Sequence, residues 1–135
     1  MASRLNPYIS FPDGTARAAL EFYEKVLGGE LTLHTFGEYG TEGDGAAGIM
    51  HGALVTAEGY TIMGADIPPG MPVTVGNNVA VSLSGDDAEL LRAYYAGLSE
   101  GGTVTVPLAV QMWGDEFGAF TDRFGISWMV NIASS

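Results

Sequence analysis

Hydrophobic and polar positions in this chain alternate with period two over most of its length, interrupted twice by stretches of period near 3.6. Leu5–Phe11 predicts a strand, with Pro7, Ile9 and Phe11 on one face and Asn6, Tyr8 and Ser10 on the other. After the Pro12-Asp13-Gly14 turn, Ala16, Ala19, Leu20, Tyr23, Val26 and Leu27 fall on one helical stripe, which Gly28-Gly29 ends. Glu30–Phe36 predicts a second strand. The stretch from Glu38 to Gly48, rich in glycine and carrying Glu38, Glu42 and Asp44, predicts a mobile surface loop. Ile49–Thr56 and Tyr60–Ala65 predict a hairpin around Ala57-Glu58-Gly59. Ile67–Pro72 holds three prolines and reads as a linker.

The pattern then starts again. Asn78–Leu83 is a strand, with Val79, Val81 and Leu83 inward. Ser84 or Asp86 is expected to cap a helix whose stripe is Ala88, Leu91, Tyr95 and Leu98. Gly101-Gly102 ends it, Thr103–Val106 is a strand, and Pro107–Asp115 is expected to be irregular. The last stretch, Phe117–Ile132, predicts two strands around a turn at Asp122 and Gly125. Ile126, Trp128, Val130 and Ile132 face a core, and Ser127, Met129 and Asn131 face away from it.

The order is therefore βαβββ, linker, βαβββ, and the copies agree in residues as well as in pattern. Asn6–Phe11 lies over Asn78–Leu83, Phe22-Tyr23 over Tyr94-Tyr95, Gly28–Leu33 over Gly101–Val106, and Gly59–Met63 over Gly125–Met129. The fold class is α+β: one domain over residues 1–135, built of a module at 5–66, a linker at 67–77 and a module at 78–133. Each helix covers one face of a curved sheet. Two such sheets are expected to form a cup lined by the mixed alternates.

Composition adds exclusions. The 135 residues, 47% hydrophobic, suffice for a core, and no run approaches the roughly 18 apolar residues of a membrane span. The beginning of the chain lacks the apolar region of a signal peptide, so a cytoplasmic protein away from membranes is expected. Cys is absent, which excludes thiolate nucleophiles and thiolate-ligated metals. Five Lys and Arg against 16 Asp and Glu give a net charge of -11, which disfavours nucleic acid as a partner. The charge serves solubility or attracts a cationic ligand.

Beyond the repeat, particular residues carry a family resemblance. Phe22-Tyr23, Gly28-Gly29 and the Asp122-Arg-Phe-Gly-Ile turn resemble the vicinal oxygen chelate superfamily of glyoxalase I, extradiol dioxygenases and the fosfomycin- and bleomycin-resistance proteins. Asn6-Pro-Tyr, Ile49-Met-His, Pro68-Pro-Gly, Gly76-Asn-Asn, Trp113-Gly-Asp-Glu-Phe-Gly and Thr121–Asn131 resemble its PhnB-like subfamily. The resemblance implies a homodimer, with or without modules exchanged between chains. It also implies a divalent metal held in the superfamily's metalloenzymes by His, Gln or Glu on the first and last strand of each module. Carried over by the repeat, those positions are Asn6 (or Tyr8) and Met63, then Asn78 and Met129. None is a His or a carboxylate, so no metal and no other cofactor is expected. PhnB-like sequences have been labelled demethylubiquinone methyltransferases. No glycine-rich strand-to-helix turn followed by an acid supports that label here.

The candidate ligand-binding residues are Tyr8, His51, Met63, Asn78, Trp113, Glu116 and Met129. Tyr8, His51, Met63, Asn78 and Met129 lie on the mixed alternates; Trp113 could stack on a planar ligand and Asp115 or Glu116 could meet a cation. His51 is a packed wall residue, a ligand-binding or acid/base group, or a relocated metal ligand. His34 is expected to point outward, away from this wall. Ser10 and Ser82 have only His51 as a plausible base and no third partner, which weighs against a hydrolase. The leading expectation is a metal-independent small-molecule-binding protein with any catalysis open. The alternatives are capture of a cationic drug, a metal-dependent lyase or dioxygenase with relocated ligands, and an interaction dimer with a closed cup.

Overall fold

The computed structural model describes residues 3–68 and 70–134. The chain divides into two compact units, Met1–Thr74 and Val75–Ser135. Each is a four-stranded mixed sheet with one long helix, and together they are two tandem βαβββ modules. In the first unit the order is β1 (Tyr8–Phe11), α1 (Ala16–Leu27), β2 (Glu30–Thr35), β3 (Ile49–Val55) and β4 (Thr61–Asp66). In the second it is β5 (Ala80–Gly85), α2 (Ala88–Ser99), β6 (Thr103–Val110), β7 (Glu116–Thr121) and β8 (Ser127–Ile132). The sheet orders are β1-β4-β3-β2 and β5-β8-β7-β6. The first strand of each unit runs parallel to the last, and the other pairs are antiparallel. The repeat in the sequence is thus a repeat of topology.

The helices pack as their stripes require. Ala16, Ala19, Leu20, Tyr23 and Leu27 are buried on α1. Gly52 on β3 makes this possible: a Cβ there would stand 2.5 Å from Leu20 Cδ1. Gly118 on β7 plays the same part under α2, where a Cβ would stand 2.6 Å from Tyr95 Cε2. On α2 the buried stripe is Leu91, Tyr94 and Leu98, so Tyr94 takes the fully buried place expected for Tyr95. Tyr95 is half-buried, edge-on to Phe120 at 5.3 Å, and its hydroxyl donates to the Val106 carbonyl at 3.0 Å. Burial raises the Tyr95 phenol above its usual range. Gly29 and Gly102 also repeat one role. A Cβ at either would collide with backbone, of Val55 and Thr56 in one case and of Thr121 and Asp122 in the other.

The helix starts differ. The Asp87 carboxylate accepts from the Leu90 amide at 3.1 Å and caps α2, in place of the expected Ser84 or Asp86. Its position one residue before the first helical turn is what capping geometry requires. The α1 start has no local cap. Buried Asp66, from the far end of β4, accepts from the Ala16 amide at 2.9 Å and the Ile49 amide at 2.8 Å.

Strand β6 runs to Val110, through the stretch expected to be irregular. Pro107 is tolerated because the register shifts on both sides of Val106, so the residue lacking an N–H falls in an irregular stretch of the ladder. The glycine-rich loop is closed at its base, where the Phe36 amide donates to the Gly48 carbonyl and the Gly37 amide to the Ala46 carbonyl. Residues Gly37–Tyr39 form a 3-10 turn within it. In the last hairpin Asp122, 3% exposed, accepts from the Phe124 and Ile126 amides, and its second oxygen accepts from Trp128 Nε1 at 2.8 Å. This turn residue is therefore also a core residue.

Candidate functional site

In the first unit, the alternates Gly52, Leu54, Ile62 and Gly64 are buried, with Gly52 against α1, and those between them form the opposite, open face. Tyr8 lies beside Met63, Met63 beside Ala53, and His51 beside His34 in the strand register. The Tyr8 ring reaches across β4 to β3. Its hydroxyl is 3.1 Å from His51 Nδ1, and the rings stack with centroids 5.6 Å apart at 30°. Tyr8 is 53% exposed and His51 half-buried, so this hydrogen bond stands at a surface that the core does not require. The imidazole tautomer sets the direction of this bond. If Tyr8 O–H donates to Nδ1, Nε2 carries the proton; if Nδ1–H donates to the phenol oxygen, Nε2 has the lone pair.

His34 belongs to the same face. It was expected to point away, but its direct pairing with His51 across antiparallel strands puts both side chains on one side. The two rings have different partners. His34 Nδ1 lies 3.6 Å from Glu38 Oε1, and its ring meets Tyr39 edge-on at 6.2 Å, whereas His51 meets Tyr8. The Thr35 amide, with help from the Thr35 hydroxyl and His34, holds the Glu38 carboxyl below its usual range. A glycine-rich loop of this length leaves the β2–β3 register unspecified by local turn chemistry, so the His34–His51 pairing was not legible along the chain.

The second unit presents Ser82 beside Met129, Met129 beside Ala119, and Asn131 beside Phe117 on the corresponding face. Asn78 is not among them. It is exposed in a bend before β5 begins. Comparing the pairings β1–β4 and β5–β8 shows that Ser82, not Asn78, stands opposite Met129, just as Tyr8, not Asn6, stands opposite Met63. The sequence match between Asn6 and Asn78 was out of step with the sheet by two residues, one full strand period, so the face assignment survives the correction.

Glu116 is engaged within the unit, whereas Trp113 stays accessible. Trp113, in the turn between β6 and β7, is 58% exposed and packs edge-on against Phe117 at 6.1 Å. Glu116 pairs with buried Ile132 in the ladder, which places it on the helix side. There it is bound by Arg92 of α2, with Arg92 Nε donating to Oε2 at 3.2 Å and Nη2 donating to Oε1. This pairing lowers the Glu116 pKa and raises that of Arg92. Asp115 accepts from Asn131 Nδ2 at 3.0 Å and from the Ser134 amide at 2.9 Å, and both bonds hold its carboxyl below the usual range. The two acids expected to meet a cation are engaged within the unit. Beside Arg92 and Glu116 lies a cavity of about 310 Å³ on the helix side, also lined by Asp86, Val110 and Ile132.

The donor set does not fit the divalent metal of the superfamily's metalloenzymes. By register the strand positions that would supply ligands are Tyr8 and Met63 in one unit, and Ser82 and Met129 in the other. Two thioethers, a phenol and a hydroxyl lack the imidazole and carboxylate donors that such ions take. Among the described residues no three His, Asp or Glu side chains cluster in a way that would hold a metal. Also among them, no helix is long and apolar enough to cross a membrane.

Known proteins share this architecture. The crystal structure of protein PA1353 from Pseudomonas aeruginosa superimposes with a TM-score of 0.88 at 34% identity, covering 99% of this chain and 100% of that one. Protein YjdN of Escherichia coli is 28% identical over 95% of this chain and 94% of its own length. The PhnB protein from Bacillus cereus has the same fold, with a TM-score of 0.78 at 19% identity over 97% and 100% of the two chains. Residues 6–130 match the profile of the Glyoxalase/Bleomycin resistance protein/Dioxygenase superfamily, and the chain belongs to that superfamily.

Proposed function

We propose that this protein is a metal-independent small-molecule-binding member of its superfamily, of the PhnB-like kind, with the ligand held against the open face of the first sheet. The observation that carries this reading is the exposed Tyr8–His51 hydrogen bond, on a face whose metal-ligand positions hold Tyr8 and Met63. A stacked phenol and imidazole with a thioether beside them is an apolar floor with a few orienting polar atoms, the usual make-up of a ligand site. Met129 and Ser82 offer a similar but less polar floor in the second unit. The reading extends to a homodimer, on the strength of the family resemblance, and to a cytoplasmic setting.

Capture of a cation has less support, because Glu116 is bound by Arg92 and Asp115 by Asn131 and Ser134. A relocated metal site at His51 and His34 has less support because the rings take different partners.

Two measurements test the proposal. Equilibrium dialysis against Zn, Ni, Mn and Fe followed by elemental analysis is expected to give far less than one ion per chain; a stoichiometric ion overturns metal independence. A fragment screen read by methyl resonances is expected to perturb Met63, and His51→Ala to abolish those shifts. Hits that leave Met63 unmoved place the ligand elsewhere.

A further inference from the structure

The strongest lead concerns the kind of ligand, and it rests on the binding reading above. The chain carries 16 acids and 5 Lys and Arg, yet the open face of the first sheet has almost none of that charge. Its alternates on β1, β4 and β3 include Tyr8, Ser10, Met63, Ala65, His51 and Ala53, with no carboxylate, guanidinium or ammonium. On β2 the same face bears Thr32 and His34, and the one acid there is Glu30 at the strand's first position, beside exposed Val55.

The first unit's other interior acid has a structural occupation. Asp66 is buried on the opposite face, bonded to the amides of Ala16 and Ile49. Glu38 is taken by the Thr35 amide and by His34. A cation brought to Tyr8 and His51 would lose hydration with no carboxylate to replace it, and only ring faces to offset the loss. An anion would find no fixed positive charge. What the face does offer is a planar ledge, two rings stacked at 30° with Met63 alongside, and one polar edge where the phenol hydroxyl and the imidazole meet. That edge presents a hydrogen-bond donor in either tautomer, because the phenol and neutral imidazole together hold two protons and spend one on each other.

We infer that the first sheet's open face takes an uncharged planar ring bearing a hydrogen-bond acceptor, and that the protein's large negative charge does not contribute to holding it.

The test uses two probes of one shape. Quinoline, neutral at pH 7 with one ring acceptor, and N-methylquinolinium, its cationic counterpart without a free acceptor, are titrated into full-length protein and followed by the Met63 methyl and His51 ring resonances. Quinoline is expected to shift both saturably, with an affinity that stays constant as NaCl rises from about 0.02 to about 0.5 M. N-methylquinolinium is expected to bind at least about tenfold more weakly once salt screens the general field. Tyr8→Phe, which keeps the ledge and removes the hydroxyl, is expected to weaken quinoline by about fivefold with no change in the protein's fold. Equal or tighter binding of the cation, falling as salt rises, overturns this inference and leaves the binding reading standing. If neither probe moves Met63 or His51, the binding reading falls and the inference with it.

Discussion

The two units share a frame and differ in what stands on it. Gly29 and Gly102 admit the same hairpin backbone, and Gly52 and Gly118 admit Leu20 and Tyr95 from the covering helices. The faces away from the helices have diverged. Where the first unit has Tyr8 and His51 in contact, the second has Ser82 and Phe117, which make no such bond. Positions that close the backbone are kept by sterics in both copies. Positions facing outward are free to change, and the polar pair that the frame does not need appears in one copy only. That asymmetry is why the proposed ligand site is on the first face.

The comparison predicts where substitutions should act alike and where they should not. The largest effects should be the equal ones. Gly52→Val and Gly118→Val are each expected to cost about 3 kcal/mol, because the added atoms meet a helix side chain and, at Gly118, the Leu108 backbone as well. Urea unfolding of both variants measures this. A cost near zero at one of them would mean that the helices do not pack equivalently.

Next come the hairpin turns, where the units solve one problem with different residues. Asp122 bonds two amides and the Trp128 indole, while buried Thr56 at the matching place receives the Tyr60 amide at 3.1 Å. Asp122→Ala should cost about 2–3 kcal/mol, since it strands the buried indole N–H, and Thr56→Ala about 1 kcal/mol. Thermal unfolding of the two variants should therefore show a clearly larger drop for Asp122→Ala.

The smallest effect is set by pH. The pKa of Asp115 is lowered by Asn131 and the Ser134 amide, so its contribution is fully present above its unfolded pKa of about 4 and is lost as pH falls through the lower folded value. Asp115→Asn should accordingly flatten the acid limb of the stability profile without altering stability near neutrality by as much as either turn variant does. An unchanged acid limb would mean that the bonds to Asn131 and Ser134 do not persist in solution.

Most of the frame was legible in the sequence because period and glycine placement are local signals. Both long helices start and end near the places their stripes indicated, and the two-module order follows from the repeat. What was not legible depended on pairing between distant strands. Asn78 was matched to Asn6 by sequence, but sheet register is set by the whole ladder and matches Ser82 to Tyr8. The face of His34 follows from its alternation with Leu31 and Leu33; what was not legible was its partner His51, because a long loop leaves the β2–β3 register unset. Glu116 read as an available acid because Arg92, 24 residues earlier, approaches it only through the packing of α2.

Strand β6 has one more consequence. It is the edge of its sheet, its valines Val104, Val106 and Val110 are 36–70% exposed, and a straight apolar edge of this kind would template other chains into fibrils. The two register shifts around Pro107 interrupt the ladder and bend the strand out of the flat geometry that stacking needs. The irregular stretch that hid the strand from a reading of the sequence thus has a second role: a bent edge can carry exposed valines without offering other chains a flat row of partners.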